Sequence, residues 1–157
     1  MTVRTLLLAA TLLLSAHPAR AQQPDMKETA GMLGKGFAEL SGWILEAAER
    51  VPADKYSYRP APTVRTFGEQ LGHIADGSNY FCGRAAGKKV QWSDATATGP
   101  TDKAAVVPKL KEALDACRAA HDAGQLAMLI ANYGHANLHY GNIVTYMRML
   151  GLVPPSS

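Results

Sequence analysis

The stretch QLAMLIANYGHANLHYGNIVTYMRMLG, residues 125–151, decides the reading of this chain. It contains no proline, and Gly151 stands where a helix is capped, with Pro154-Pro155 closing the chain behind it. The spacing predicts one helix from about Gln125 to Leu150. At about 100° per residue, His139 lies about 40° from His135, and Met128, Asn132, Asn142 and Tyr146 fall in the same sector. Gly134, Asn137, Gly141 and Arg148 occupy the opposite sector and read as its solvent face. The two imidazoles are therefore expected to point into the protein.

Three more helical segments precede it in the chain. Residues 26–51 carry Met32, Phe37, Leu40, Ile44, Ala47 and Val51 at helical spacing, and Pro52 ends the run. Arg59-Pro60-Ala61-Pro62 is a stiff connector. Thr66-Phe67-Gly68-Glu69 has the form of a capping box and predicts a helix from Thr66 to about Ala85. That helix holds Gly68, Gly72, Gly77 and Gly83, each costing about 1 kcal/mol against alanine in a helix interior. So many imply close packing or reserved space. Residues 87–99 are polar and aperiodic and read as a surface loop long enough to cross the molecule. Thr101-Asp102 opens a third helix with Val107, Leu110, Leu114, Cys117 and His121 on one stripe; Pro108 fits only in its first turn. Residues 119–125 make a short connection to the last helix. The expected fold is all-α: a four-helix bundle with a long connection between helices 2 and 3.

The same wheel places His73 of the second helix on a face with Gln70, Gly77, Tyr80 and Arg84, with Gly68, Gly72 and Asn79 across from it. Gly77 leaves room one turn from His73. Three inward imidazoles need hydrogen-bond partners or a metal. His73, His135 and His139 are the candidate ligands. Three histidines with a fourth position open is the arrangement of catalytic rather than structural zinc, with ring nitrogens at about 2.0–2.1 Å from the ion. His121 reads as a helix-terminal residue rather than a ligand.

Composition limits the alternatives. The chain has 157 residues, 47% hydrophobic and 18% charged, one domain's worth of globular sequence. Residues 1–21 have the order of a secretory signal: Arg4, the Leu/Ala run 6–14, and Ala19-Arg20-Ala21 as cleavage site. The apolar run is too short to span a bilayer. The domain then covers residues 22–157, exported to the periplasm or secreted. Arg4 and Arg20 would leave with the signal, so 14 of the 16 basic side chains remain against 13 acidic ones. That balance offers nothing to nucleic acid or to a membrane after cleavage. A small molecule is the expected partner, and a second copy of the chain is kept as another. Cys82 and Cys117 both lie on or near inward stripes and would meet an oxidising compartment, which predicts a disulfide; two buried free thiols are the alternative.

The pieces RPAPTVRTFGEQLGHIAD, residues 59–76, and HANLHYGNIVTYMRMLGLVPP, residues 135–155, resemble the DinB family of metalloenzyme-like four-helix bundles. In that family the second helix supplies one histidine and the last helix two, four apart, to one divalent metal. The resemblance implies His73, His135 and His139 as ligands, with zinc or nickel first and iron or manganese next. Many members read His-His-Arg-Gly-Gln where this chain reads Leu138-His139-Tyr140-Gly141-Asn142, so only the liganding histidine is carried over. Members often have extra structure between helices 3 and 4, and the short stretch here predicts a missing wall.

The resemblance implies hydrolase-like or thiol S-transferase chemistry. Export weighs against the second, because low-molecular-weight thiols are cytosolic. No general base stands out: Asp76 and Glu69 lie at the edge of the His73 face, and Glu69 is explained as a cap. Tyr80, Tyr140 and Asn142 are candidates to support a ligand. A metal-dependent enzyme, a non-catalytic metal- or ligand-binding bundle and a purely structural bundle all remain open at this point.

Overall fold

The computed structural model describes residues 25–121 and 125–157, so residues 1–24, with the expected signal segment, and residues 122–124 lie outside the described residues. Four helices follow in order: α1 (Met26–Arg50), α2 (Phe67–Ala85), α3 (Lys103–Ala120) and α4 (Leu126–Met149). A 3₁₀ turn at Ala53–Lys55 is the other regular element, and no strand occurs among the described residues. No described helix is long and apolar enough to cross a membrane. The architecture is the all-α helical bundle expected from the periodicity.

Local signals set the helix ends. Asp25 accepts from the Lys27 and Glu28 amides at the start of α1. The capping box at α2 is complete: Glu69 N–H donates to Thr66 Oγ1 at 3.1 Å, and Thr66 N–H donates to Glu69 Oε2 at 2.7 Å. Asp102 caps α3 through the Ala105 amide. Gly151, at φ +75°, takes the left-handed position after α4 that a side chain would resist. Pro108 differs from expectation, because it is the sixth residue of α3 and not in its first turn. It is tolerated there because both Pro108 and Ala104, whose carbonyl lost its partner, are on the solvent side.

α2 packs on α3 and α4, and α1 packs on the same two. The core runs through Phe37 and Ile44 of α1, Leu71 and Ile74 of α2, Leu110 and Leu114 of α3, and Leu129, Ile143 and Met147 of α4. Met32, assigned to the α1 stripe, is 68% exposed; Leu33 is the residue in phase with Phe37. On α3 the buried stripe starts at Val106, with Val107 beside it. Cys82 of α2 and Cys117 of α3 are joined by a disulfide, Cα atoms 5.1 Å apart.

The 86–102 connection is more than the expected surface loop. It runs back along α2 from C-terminus to N-terminus at backbone distance. A Cβ on Gly83 would meet Val90 at 2.7 Å, one on Gly72 would meet the Ala97 backbone at 2.8 Å, and one on Gly68 would meet the Thr101 carbonyl at 2.0 Å. Gly68 and Gly72, expected opposite the buried face, are thus buried under this run, and Thr96 and Ala97 are buried with them. The Asp76 carboxylate fastens it by accepting from Thr96 N–H at 3.1 Å and Ala97 N–H at 2.9 Å. α3 therefore begins beside the start of α2 and runs parallel to it, while Gln125 N–H donates to Ala85 C=O and turns α4 back antiparallel.

Gly72→Ala is expected to lower stability by about 1–2 kcal/mol, because overpacking against the 96–97 backbone outweighs the gain in helix propensity. Gly42→Ala, in α1 with nothing within 4 Å of a new Cβ, is expected to raise it by about 0.5–1 kcal/mol. Urea denaturation of the two variants checks both signs.

Candidate metal centre

α2 and α4 bring His73, His135 and His139 together. One ring nitrogen from each lies within 4.8 Å of the others. His73 Nε2 and His135 Nε2 are 3.2 Å apart. Two nitrogens on one tetrahedral ion at the usual zinc distances stand about 3.3 Å apart, so this pair already has the spacing of shared ligands. The ring of His139 closes the group, 4.6 Å from His73 and 4.5 Å from His135 between centroids. Gly77 is the space this requires. A Cβ there would come within 2.2 Å of His135 Cε1.

The cluster is not on the bundle axis. The core face of α4 is Leu129, Ala136, Ile143 and Met147, and the two histidines sit on its shoulder, half-buried. His73 is 8% exposed. The expected inward face is therefore a lateral one, turned toward α2 and the connection. Half-burial leaves a side open to a small molecule, which an axial site packed among leucines would lack.

The connection supplies the outer parts. Asp94 Oδ1 lies 3.0 Å from His73 Nδ1, and Trp92 Nε1–H donates to Asp94 Oδ2 at 3.2 Å. The Trp92 indole N–H, and after it the His73 contact, hold the Asp94 carboxyl below the usual carboxylate range. An ionised Asp94 accepts the Nδ1 proton of His73 and leaves the Nε2 lone pair facing the cluster. Trp92 itself lies edge-on to His73, His135 and Tyr80, and forms a wall. The Gln70 carboxamide meets His139 Nδ1 at 2.5 Å and can serve either tautomer of that ring. Sequence reasoning missed Asp94 and Trp92. The only signal for them was an aromatic and an acid two apart in an otherwise polar loop.

The other sequence candidates are not members of the histidine cluster, although Tyr80 and Asn142 lie beside it. Tyr140 stacks on Trp43 and its hydroxyl donates to Ser156. Tyr80 contributes its ring to the Trp92 wall and accepts from Arg84 through its hydroxyl. Asn142 is exposed in a groove beside His139. Asn132 is fully buried and donates to Cys117 Sγ. Asp76 is engaged by Thr96 and Ala97, and Glu69 by its cap and by Arg59 at 3.6 Å. His121 caps the end of α3 and stacks on Phe37, as a structural residue would.

The donor set suits a divalent ion. Burial, reinforced by the neighbouring His73, lowers His135 to about 4; burial and the His135 and His73 charges do the same to His139. Both rings are thus neutral at pH 7, with lone pairs free to coordinate. Among the described residues His135 Nδ1 is a buried nitrogen with no hydrogen-bond partner. Three close imidazole nitrogens can hold one metal ion.

The sign of the pH effect follows. The unfolded chain binds protons on His135 and His139 near 6.5, the folded chain only near 4. Their contribution is therefore free of penalty above 6.5, and the fold loses stability as pH falls from 6.5 toward 4. Thermal melts of the metal-free protein are expected to show a lower Tm at pH 5 than at pH 7.5. The difference should shrink in the His135→Asn/His139→Asn variant.

The DinB superfamily matches residues 43–153, which take in the end of α1, all of α2 and α4, the connection and the three histidines. No curated protein and no solved structure matches. The match spans well over half of the 157 residues. By that match, this chain belongs to the DinB superfamily.

Proposed function

We propose that the protein is exported, holds one divalent metal through His73, His135 and His139, and acts as a hydrolase-like metalloenzyme on a small molecule. The observation that carries this reading is the convergence of three ring nitrogens within 4.8 Å beside an open groove that His139 also lines. A divalent ion bound there supplies a Lewis acid with a position left for water or substrate. The chain's own part is to orient and to insulate. Asp94 keeps the His73 proton on Nδ1, Gln70 steadies His139, Gly77 admits His135, and Trp92 shields the centre from one side. Zinc or nickel suits three imidazoles best, with iron and manganese next.

Export rests on the order of residues 1–21 and is supported by the Cys82–Cys117 disulfide, which an oxidising compartment maintains. The same location weighs against a cytosolic thiol as co-substrate. A non-catalytic binding role is the second reading. What favours it is that Asp76, Glu69 and Asp94, the carboxylates around the cluster, are each engaged by a partner, leaving no free general base among them.

Metal analysis of protein from the exported fraction is expected to give about one divalent ion per chain. His139→Ala and Gly77→Ala should both lose it while helical content is kept, the second because its Cβ displaces the His135 ring. Asp94→Ala should weaken metal binding about 10–100-fold. A His73/His135/His139 triple alanine variant that binds metal as the parent does would sink the proposal. Turnover of an ester and amide panel separates enzyme from binding protein.

A further inference from the structure

We infer that the groove beside His139 takes a small ligand bearing one carboxylate, and that Arg65 is the residue that receives it. The inference deepens the metalloenzyme reading and rests on it for the other end of the ligand, which lies toward His139. The groove has a volume of about 700 Å³, and Thr63, Arg65, Gln70, His139, Asn142 and Tyr146 are among the residues that line it. That is the size of a small-molecule site. No carboxylate lines it, and Arg65 is its one permanent cation.

Arg65 is held for this role by its backbone. The Tyr146 hydroxyl donates to its carbonyl at 3.0 Å, and the next residue, Thr66, is the fixed cap of α2. Its guanidinium forms no hydrogen bond or ion pair with any described residue. Arg59, on the same connector, is already matched by Glu69. Arg65 is also one of the charges that disfavour protonation of His135 and His139, so its field reaches the cluster from the groove.

The start of α2 does not offer a rival anion site. Phe67 N–H donates to Tyr58 C=O, Gly68 N–H to Tyr56 C=O, and the Thr66 and Glu69 amides serve the capping box. An anion in the groove therefore has Arg65 as its charged partner, aided by the neutral donors of Thr63, Gln70 and Asn142. One guanidinium matches one carboxylate in a two-pronged contact. A phosphate monoester, carrying nearly two charges, would leave part of its charge unmatched. Pro60, Val64 and the Tyr146 ring add apolar wall for the body of the ligand.

The test uses metal-free, isotope-labelled full chain titrated with benzoate, its neutral counterpart benzamide, and phenyl phosphate, followed by amide resonances. Benzoate is expected to shift the Arg65, Asn142 and Thr145 amides and to bind about tenfold more tightly than benzamide. Phenyl phosphate should bind no more tightly than benzoate. Arg65→Gln should erase the benzoate advantage and leave benzamide binding unchanged. Its fold should survive, because Tyr146 holds the backbone carbonyl and not the side chain. Equal binding of benzoate and benzamide, or an advantage that persists in Arg65→Gln, overturns the inference. Tighter binding of phenyl phosphate overturns the assignment to a carboxylate. Cobalt(II) uptake by the same samples keeps the two readings apart. Uptake by both parent and Arg65→Gln is the expected result; a parent that takes up no cobalt defeats the metal centre, while the benzoate comparison still decides the groove.

Discussion

The close run of the 86–102 connection along α2 governs where the other helices are placed. Two backbones can lie this near only where side chains are missing, and Gly68, Gly72 and Gly83 are the gaps. Each glycine weakens α2 as an isolated helix by about 1 kcal/mol. Burial of the connection and the bonds from Thr96 and Ala97 to the Asp76 carboxylate offset that cost; a hydrogen bond to a charged group contributes about 1.5–3 kcal/mol. Because the run ends where α2 began, α3 starts there too, and the two helices lie parallel. The parallel arrangement in turn sets Cys82 level with Cys117.

The same run makes the centre. Trp92 and Asp94 lie between the Val90 contact with Gly83 and the Ala97 contact with Gly72, so they are delivered to the side of α2 that carries His73. Asp94 then works at one remove from the cluster. It takes a proton contact from His73, while the Trp92 indole keeps it ionised by donating to its other oxygen. The short link between helices 3 and 4, where a wall was expected to be missing, includes residues 122–124, which lie outside the described residues; Trp92 forms a wall on the side of the connection. Hydrogen bonds from the Thr96 and Ala97 amides to the Asp76 carboxylate fasten the end of this wall to α2.

Partial burial gives the centre its electrostatic character. The imidazoles of α4 are buried enough to remain neutral near pH 7, yet open enough for His139 to border a groove. The neighbouring carboxylates are each engaged by amides, an indole or a guanidinium, so they do not neutralise the cluster at random. Three kinds of group thus stand apart: three clustered imidazoles, carboxylates already engaged by partners, and Arg65, whose guanidinium has no hydrogen bond or ion pair among the described residues.

The sequence by itself determined the four helices, because a 3.6-residue period, the capping box at Thr66–Glu69 and the cap at Gly151 are local features that each segment satisfies alone. Helical spacing also put His135 and His139 on one helix face and marked Gly77 as a gap one turn from His73, and the structure brings these three rings together. Tertiary structure decided what those residues meet. Gly68 and Gly72 read as the back of α2 on a helical wheel, and only packing of the connection turned that back into an interior face. Asp94 and Trp92 are 21 and 19 positions beyond His73, at distances no periodicity links, and they reach it only because the connection doubles back. Arg65 is one charged residue among many in the sequence; its place beside His139, with no hydrogen bond or ion pair to its guanidinium among the described residues, exists only once α4 lies antiparallel to α2. Periodicity describes how one segment folds against an average environment, whereas a site depends on which segments are brought to the same place, and that is fixed by long-range packing.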